Sequence, residues 1–321
     1  MNVRARRYYV RLAHVGWVEG RGPMPRTVSD GFSEFLTRIQ PNQAEVNARR
    51  SHKRTIDQAL GGAFKKFNRL EIIGSHTRDT AIRYHSDVDY LAVLGKEDVS
   101  HGGYITQSST VLKNVRDVLA DRFKSTDVRI DGPAVVVRFQ GGEGAVDVVP
   151  GYWKGTTGRD GYPLFAIPDA TGGWIDTAPQ RHGKYLGERE VASGYKLSRV
   201  VRLLKAWKYA RSPKIPFLAF HVEILLASDG LCDGVKGYGT CLRDAFRRLR
   251  DRKAVALNDP LALSGRIPIV YTNVQAVRLV NYASHAATHA DSALDAEYRG
   301  DMAEAFRQWR IVFNDAFPAR R

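Results

Sequence analysis

The sequence predicts an α+β protein in which a lobe with a mixed or antiparallel sheet is followed by a helical lobe. Short apolar runs bounded by glycine and proline predict strands in the first half of the chain. Apolar residues at helical spacing dominate beyond about residue 190. A chain of 321 residues is long enough for two lobes with a core of ordinary size.

Individual elements of the first half follow from these patterns. Residues 28–67 are predicted to be helical, because apolar residues such as Ile56 and Leu60 recur at helical spacing. The runs "LEIIG" and "DVDYLAVLG" predict two strands, and a helix is predicted at 108–123. The runs "PAVVVRFQ" and "GAVDVVP" predict a hairpin through the turn at Gly141–Gly144.

The second half of the chain is predicted to contain loops followed mainly by helices. Residues 150–185 are rich in glycine, proline and aromatic residues, and are predicted to be mainly loop. The segment "LSRVVRLLKAWKYA" predicts a helix, and further helix is predicted from 274 to 313 with a break near Gly300. The predicted division of the chain is an irregular extension at 1–26, a sheet-containing lobe at 27–190 and a helical lobe at 191–318.

Charge and composition restrict the class of protein. The formal net charge of +15 and a pI near 9.9 favour an anionic partner, such as nucleic acid or nucleotide phosphates, although a solvated basic surface is the alternative. No apolar run reaches the ~18 residues that span a bilayer. Cys232 and Cys241 are expected to be free thiols, and a cytoplasmic location is predicted.

Two aspartates at the start of a predicted strand are the first candidate functional residues. Side chains alternate between faces along a strand, so Asp87 and Asp89 share one face. Two neighbouring carboxylates repel each other unless a cation lies between them, and Mg²⁺ prefers such oxygen ligands. The D-x-D pattern alone is also compatible with a solvent-exposed strand end.

The residues around this pair favour the metal interpretation. Gly74 and Ser75 close the preceding predicted strand, where glycine permits a tight turn and the backbone and hydroxyl can approach a phosphate. A third acid, Asp147, lies within the apolar run "AVDVV", where an unpaired aspartate is costly to bury. Three carboxylates on adjacent strands can hold two Mg²⁺ ions, which serve an attacking hydroxyl and a triphosphate.

This set of residues resembles the polymerase-β-type nucleotidyltransferase superfamily. The pattern consists of "GS", eleven further residues, "DVD" and a later acid within a strand. Within this superfamily, the chain is most similar to the bacterial cGAS/DncV-like nucleotidyltransferases, which synthesise cyclic oligonucleotide signals in anti-phage defence. The similarity continues in order through "VDVVPGYW", "GGWIDTAPQRH", "RVVRLLKAWK" and "IPFLAFHVEILL", and covers residues 27–318. It implies a polymerase-β-like nucleotidyltransferase lobe at 27–190.

The resemblance also implies roles for individual residues. Asp87, Asp89 and Asp147 would hold two Mg²⁺ ions, with Mn²⁺ as an alternative, and would be the catalytic residues. Gly74 and Ser75 would bind the triphosphate of the donor nucleotide.

Two further residues match family positions but keep an alternative. Lys205 matches a helix lysine that contacts phosphate, although a lysine on an apolar helix can also snorkel to solvent. Trp174 matches a loop near the nucleotide pocket, where its ring would stack on a base, and plain core packing is equally compatible. Ala219 departs from the serine that many relatives carry, which leaves the choice of base open.

Histidines near the aspartates raise the question of zinc. Zinc sites usually combine closely spaced histidines with cysteine pairs. His76 and His85 are nine residues apart and neither cysteine is near, so the sequence does not favour zinc. His76 is placed to approach phosphate, and His182 and His221 are expected to be structural.

The favoured function is a Mg²⁺-dependent nucleotidyltransferase that condenses nucleoside triphosphates, ATP and a second one, into a cyclic di- or oligonucleotide. Pyrophosphate is released, and the product serves anti-phage (CBASS) signalling through a separately encoded effector. The alternative is an RNA-terminal or oligoadenylate-type nucleotidyltransferase, which the net charge favours. A non-catalytic binding protein is a third hypothesis, against which the three acids count. Nucleic acid is compatible as an activator or substrate without being required, and no membrane partner is expected.

Overall fold

The structure, a computed structural model, describes residues 25–85, 87–139, 145–158, 160–169 and 171–320. Nearly all of the predicted N-terminal extension and the predicted Gly141–Gly144 turn lie outside the described residues. The helices are α1 (Val28–Ile39), α2 (Gln43–Ala63), α3 (Ser108–Arg122), α4 (Pro179–Ala192), α5 (Leu197–Tyr209), α6 (Ala219–Ser228), α7 (Tyr238–Asp251), α8 (Asn273–Tyr298) and α9 (Met302–Val312). The strands are β1 (Arg69–Ile73), β2 (Val88–Leu94), β3 (Ser100–His101), β4 (Tyr104–Ile105), β5 (Asp127–Asp131), β6 (Ala134–Arg138), β7 (Ala145–Thr156), β8 (Pro163–Pro168), β9 (Trp174–Thr177), β10 (Leu257–Asn258) and β11 (Arg266–Ile267).

Most of residues 28–67 is helical, as predicted, and the structure divides this range into α1 and α2. Pro41 lies at the break, where it lacks a backbone N–H to continue a helix. Gln40, which precedes it, has an extended backbone with ψ of 137°. Helix α2 then starts afresh at the Asn42 cap, whose side chain accepts a hydrogen bond from the backbone N–H of Glu45 at 2.8 Å.

The main sheet of the described residues is mixed, as predicted. Its strand order is β1-β2-β7-β6-β5, with β8 pairing with β7 and β9 pairing with β8. Strands β2 and β7 are parallel, and the other pairs are antiparallel. The parallel pair brings together two segments that are far apart in the sequence, since Asp89 is the partner of Asp147.

Residues 150–185, predicted to be rich in loops, contain more regular structure than their composition indicates. Strand β7 continues to Thr156, and β8 and β9 extend the sheet beside its second half. The strand β8 has the sequence "PLFAIP", an apolar run without alternation between two prolines. Such a run carries no period-2 signal, and its prolines suggest loop.

Two large hydrophobic cores support the elements of the described chain, beside a small third cluster of Leu91, Val93 and Phe165. One lies between the sheet and helices α2 and α3 and includes Tyr90, Ala92, Val146 and Val148. The other joins α1 to the helices α5–α9. Helix α1 therefore packs with the helical part, while the boundary near residue 190 stays a prediction. None of the described helices has the length and apolar character to cross a membrane.

Candidate active site

The three candidate aspartates lie on the face of the sheet that is turned away from α2 and α3. Because side chains alternate along a strand, the burial of Tyr90 and Val148 in the sheet core places their neighbours Asp89 and Asp147 on the opposite face. These two aspartates are direct partners on the parallel strands β2 and β7. Asp87 precedes β2 by one residue and lies two positions before Asp89.

Gly74 fits closely against one of these carboxylates. It follows β1, whose last residue pairs with Asp89, and opens a short 3-10 turn with φ of +72°. A Cβ atom at this position would lie 2.7 Å from Cγ of Asp89 and closer still to its Oδ2. Both the left-handed backbone and the contact therefore require glycine.

The turn after Gly74 is held by its own hydrogen bonds. The Thr77 hydroxyl donates to the carbonyl oxygen of Gly74 at 2.9 Å, and the Thr80 N–H donates to that of Ser75 at 3.0 Å. The Ser75 hydroxyl has no hydrogen-bond partner within the described ranges. It is half-buried beside the carboxylates and remains available to a ligand.

Burial is the main cause of the raised pKa values of the three acids. Burial raises the pKa of Asp89 to about 6, while nearby Arg78 and Lys205 oppose the rise. Burial, and then the charges of Asp87 and Asp89, raise the pKa of Asp147 to about 7. Partial desolvation also raises the pKa of Asp87. A cation among these groups would stabilise their ionised forms.

The donor set suits a hard divalent cation that arrives with its substrate. Among the residues that the structure describes, no three His, Cys, Asp or Glu side chains are close enough to form a complete ligand set. Mg²⁺ usually takes only one or two carboxylates from the protein and completes its shell with phosphate oxygens and water. Neighbouring carboxylates that do not form a complete ligand set leave room for these phosphate oxygens and waters.

Lys205 was expected either to contact phosphate or to extend its ammonium group to solvent, and the structure excludes the second. Its side chain is buried, so it does not snorkel to solvent. The Nζ atom donates to the carbonyl oxygen of Thr80 at 2.8 Å and lies 3.3 Å from Oε1 of Glu223. It is close enough to Asp89 for its positive charge to oppose the rise in the pKa of that carboxyl group. Contact with a phosphate stays a prediction for Lys205.

Glu223 is a residue that the sequence analysis did not select. It accepts hydrogen bonds from Arg78 at 2.7 Å and from the Thr80 hydroxyl at 2.9 Å. Burial alone would raise the pKa of Glu223, but Arg78 and Lys205 outweigh it and hold the pKa at about 2. The signal in the sequence was a lone acid in the apolar segment "FHVEILLA", which requires a buried partner.

Trp174 is half-buried and packs against the sheet core. Its indole N–H donates to the carbonyl oxygen of Thr106 at 2.9 Å, and its ring makes an edge contact with Tyr152 at 5.1 Å. These contacts match the core-packing alternative, and stacking on a base stays a prediction.

Other expected residues have clear structural surroundings. His182 Nε2 lies 3.0 Å from Asp259, and His221 Nδ1 lies 2.9 Å from the carbonyl oxygen of Ile267, so both are held inside the protein. His76 contacts Arg49 of α2 at 2.5 Å, beside the Gly74 turn. Both cysteines are free and buried.

The family model of the second messenger oligonucleotide or dinucleotide synthetase domain (SMODS) matches residues 26–189. This range is more than half of the 321 residues and includes Gly74, Ser75 and the three aspartates. The chain belongs to this family. The resemblance inferred from the sequence is therefore confirmed.

Known relatives extend the comparison over most of the SMODS chain. A probable cyclic nucleotide synthase of Bacillus cereus strain VD146 is 23% identical over 280 residues, with 78% of this chain and 82% of that protein covered. The structure of E. coli MS115-1 CdnC with ATP is 21% identical with a TM-score of 0.69, over 91% of this chain and 99% of that one. The structure of a Vibrio cholerae DncV mutant is 11% identical with a TM-score of 0.71, over 92% and 97% of the two chains.

Family membership establishes the class of activity. This SMODS protein is an enzyme of the nucleotidyltransferase class. It makes an oligonucleotide or dinucleotide second messenger. Metal dependence is general in the family.

Proposed function

We propose that the protein condenses nucleoside triphosphates into a cyclic di- or oligonucleotide at the site formed by Asp87, Asp89 and Asp147. The observation that carries the proposal is the pairing of Asp89 with Asp147 on parallel strands, directly beside the Gly74 turn. This arrangement places carboxylates where a triphosphate bound at the turn would carry its α-phosphate.

The three aspartates would hold two Mg²⁺ ions, with Mn²⁺ as an alternative. Bound there, the ions would supply charge neutralisation for the triphosphate and a lowered pKa for the attacking hydroxyl. The raised pKa values of Asp89 and Asp147 support this assignment, because a divalent cation would stabilise the ionised carboxylates that burial, and then neighbouring negative charges, disfavour.

The donor nucleotide binds through the turn after β1. The Ser75 hydroxyl and the backbone N–H groups of the turn donate to its β- and γ-phosphates. The Gly74 backbone lies close to Asp89, so the donor α-phosphate comes to rest beside this carboxylate. Lys205 and Arg78 add positive charge on the Asp89 side.

The first step forms one bond and breaks another at the α-phosphorus. The 2′- or 3′-hydroxyl oxygen of the acceptor nucleotide bonds to this phosphorus, and the bond to the pyrophosphate oxygen breaks with its electron pair. The hydroxyl proton passes to water. The attacking and leaving oxygens lie in line, so the acceptor approaches from the side opposite the bound pyrophosphate.

A second transfer of the same kind closes the ring. The linear intermediate retains the 5′-triphosphate of the acceptor and the free 2′- and 3′-hydroxyls of the donor nucleotide, and it binds again in the reverse orientation with its triphosphate at Ser75. The cyclic product has no terminal phosphate. We assign it to a signalling role in anti-phage (CBASS) defence, with a separately encoded effector that senses it.

The test uses the four labelled nucleoside triphosphates and Mg²⁺, without and with added RNA, followed by phosphatase. The proposal predicts a small labelled product that resists phosphatase and forms without RNA. Label that appears only on the added RNA would instead establish the RNA-terminal alternative, which the net charge of +15 favours. The phosphatase removes only the terminal phosphates of a linear product, so a labelled product that loses these phosphates and becomes a dinucleoside phosphate would show linear transfer without ring closure.

A further inference from the structure

Two lysines without acidic partners lie beside the candidate site, at the end of α5 and in the loop that follows it. Lys208 Nζ lies 5.3 Å from the centre of the Tyr209 ring, and Lys214 Nζ lies 5.6 Å from the same ring. His85 stacks on Tyr209 with 4.5 Å between ring centres and 5° between their planes. The two ammonium groups therefore flank one aromatic side chain near Asp87.

Neither ammonium has a counterion in the described part of the chain. No Asp or Glu oxygen lies within 4.0 Å of Lys208 or Lys214 in these ranges. Lys208 donates one hydrogen bond, to the carbonyl oxygen of Phe217 at 2.6 Å, although its side chain is buried. Burial, and then the charges of Lys214 and Lys205, lower the pKa of Lys208 to about 8. A buried cation of this kind is stabilised by an anion.

These lysines act on a different carboxylate from the cations described above. Arg78 and Lys205 are the positive groups that oppose the pKa rise of Asp89. Lys214, Arg138 and Lys208 do the same for Asp87. Contacts divide the cations in the same way. Lys205 donates to Thr80, whose backbone N–H holds the carbonyl oxygen of Ser75 in the turn. Lys208 and Lys214 instead flank Tyr209, on which His85, two residues before Asp87, stacks.

The two sides correspond to two nucleotides if the proposed function holds. The donor triphosphate lies at the Gly74 turn beside Asp89, because the turn contacts that carboxylate. The attacking hydroxyl must approach opposite the leaving pyrophosphate. The cations on the Asp87 side are therefore assigned to the nucleotide that brings this hydroxyl.

We infer that Lys208 and Lys214 form a second phosphate subsite, which binds the 5′-phosphates of the acceptor nucleotide while Gly74 and Ser75 hold the donor. This inference rests on the proposed function. Lys214 is exposed and can meet the phosphates directly. The Lys208 ammonium has two further N–H groups to donate once its hydrogen bond to Phe217 is counted. After the first transfer, the subsite is free to release the linear intermediate for reversal.

The test separates the two roles of a nucleotide by chemistry. A 2′,3′-dideoxynucleoside triphosphate has no hydroxyl with which to attack, so it serves only as donor. With it, the acceptor is supplied as a nucleoside, as its 5′-monophosphate or as its 5′-triphosphate. The readout is the ratio of kcat/KM for the triphosphate acceptor to kcat/KM for the nucleoside acceptor. We compare wild type with Lys214→Ala and Lys208→Met, and with Lys113→Ala on the exposed face of α3 as the charge-matched control.

The expected result is a wild-type preference for the phosphorylated acceptor that falls about tenfold or more in Lys214→Ala, the effect of losing one charge-assisted contact. Lys113→Ala should keep the wild-type ratio. An unchanged ratio in Lys214→Ala overturns the inference, as does a raised KM for the donor alone, which would place the lysine at the donor triphosphate. A wild-type enzyme that transfers to no acceptor contradicts the proposed function itself, and the two failures are thereby distinguished.

Discussion

At the scale of single residues, the site depends on an absent side chain as much as on those present. Gly74 has a left-handed backbone and lies against the carboxylate of Asp89, which no Cβ atom would permit. Gly132, in the turn between β5 and β6, has a similar φ of +58° but nothing within 4 Å of its Cβ position. A comparison of substitutions at the two glycines therefore distinguishes the effect of backbone strain from the effect of contact with Asp89.

The Gly74→Ala variant should lose at least about 100-fold in kcat/KM, because the new methyl group displaces Asp89 from its position. Gly132→Ala should lose roughly 1–2 kcal/mol of stability through its backbone alone and keep its activity. Steady-state kinetics and urea unfolding of both variants measure the difference. Equal activities would show that the close approach of Gly74 to Asp89 is not needed.

The ionised carboxylate of Asp147 lowers the stability of the folded protein. The folded-state pKa of about 7 lies above the unfolded value of about 3.9, so the folded protein binds this proton more tightly than the unfolded chain. The free energy of unfolding therefore falls as the pH rises from about 4 to about 7. Removing the charge should restore the stability that is lost over this range.

The Asp147→Asn variant, with metal removed by EDTA, should melt about 2 °C above wild type at pH 8, which corresponds to about 1 kcal/mol. At pH 5 the wild-type carboxyl is protonated, and the two proteins should melt within about 1 °C of each other. Thermal unfolding at both pH values measures this. A difference of the same size at pH 5 and pH 8 would show that charge repulsion is not the cause.

At the scale of elements, a buried ion-pair network connects the turn after β1 to the helices. Glu223 of α6 holds Arg78 and the Thr80 hydroxyl, and Lys205 of α5 holds the Thr80 carbonyl oxygen. The same Thr80 anchors the carbonyl oxygen of Ser75 through its backbone N–H. The position of the phosphate-binding turn thus depends on residues of two later helices.

The Glu223→Gln variant should lose about 3 kcal/mol of stability, since it leaves Arg78 and Lys205 buried without their anion. Glu188→Gln is the matched control, because Glu188 is exposed and its pair with Lys184 is 3.9 Å long. That control should change stability by about 0.5 kcal/mol or less. Urea unfolding gives both values, and equal stabilities of the two variants would contradict a structural role for the network.

Elements also explain which parts of the structure were predictable. Gly74, Ser75, Asp87 and Asp89 stand in one stretch of sequence, and a local pattern is sufficient to connect them. The position of Asp147 depends on a parallel pairing between strands that are far apart in the chain, which no periodicity encodes. The family resemblance supplied that connection.

The parts that were not predicted lack a local signal. Strand β8 has no alternation because both of its faces are at least partly covered. The network around Glu223 joins residues more than 140 positions apart, so their pairing is a product of the tertiary fold. The same holds for Lys208 and Lys214, whose basic side chains do not stand out in a chain with 49 lysines and arginines.

At the scale of the whole molecule, one dense group of basic residues is less available to nucleic acid than the sequence suggests. The basic patch at 243–253 lies mainly on α7. There, Arg243, Arg247, Arg248 and Arg250 each have an acidic partner within 3.0 Å. Paired arginines attract phosphates less strongly than free ones.

The protein should therefore make its cyclic product at the same rate before and after nuclease treatment, measured at physiological salt. A rate that falls on treatment and returns when RNA is added would show that nucleic acid is a required activator.

We propose that Asp87, Asp89 and Asp147 together form the catalytic site of a cyclic oligonucleotide synthase. This proposal is tested most directly by the rate of phosphatase-resistant product from Asp147→Asn and from the Asp87→Asn/Asp89→Asn double variant. Asp121→Asn, an exposed change on α3, is the control. The account predicts that both site variants lose at least about 100-fold in rate while their circular dichroism spectra match wild type, and that the control keeps its rate. Undiminished product formation by either folded site variant would contradict it.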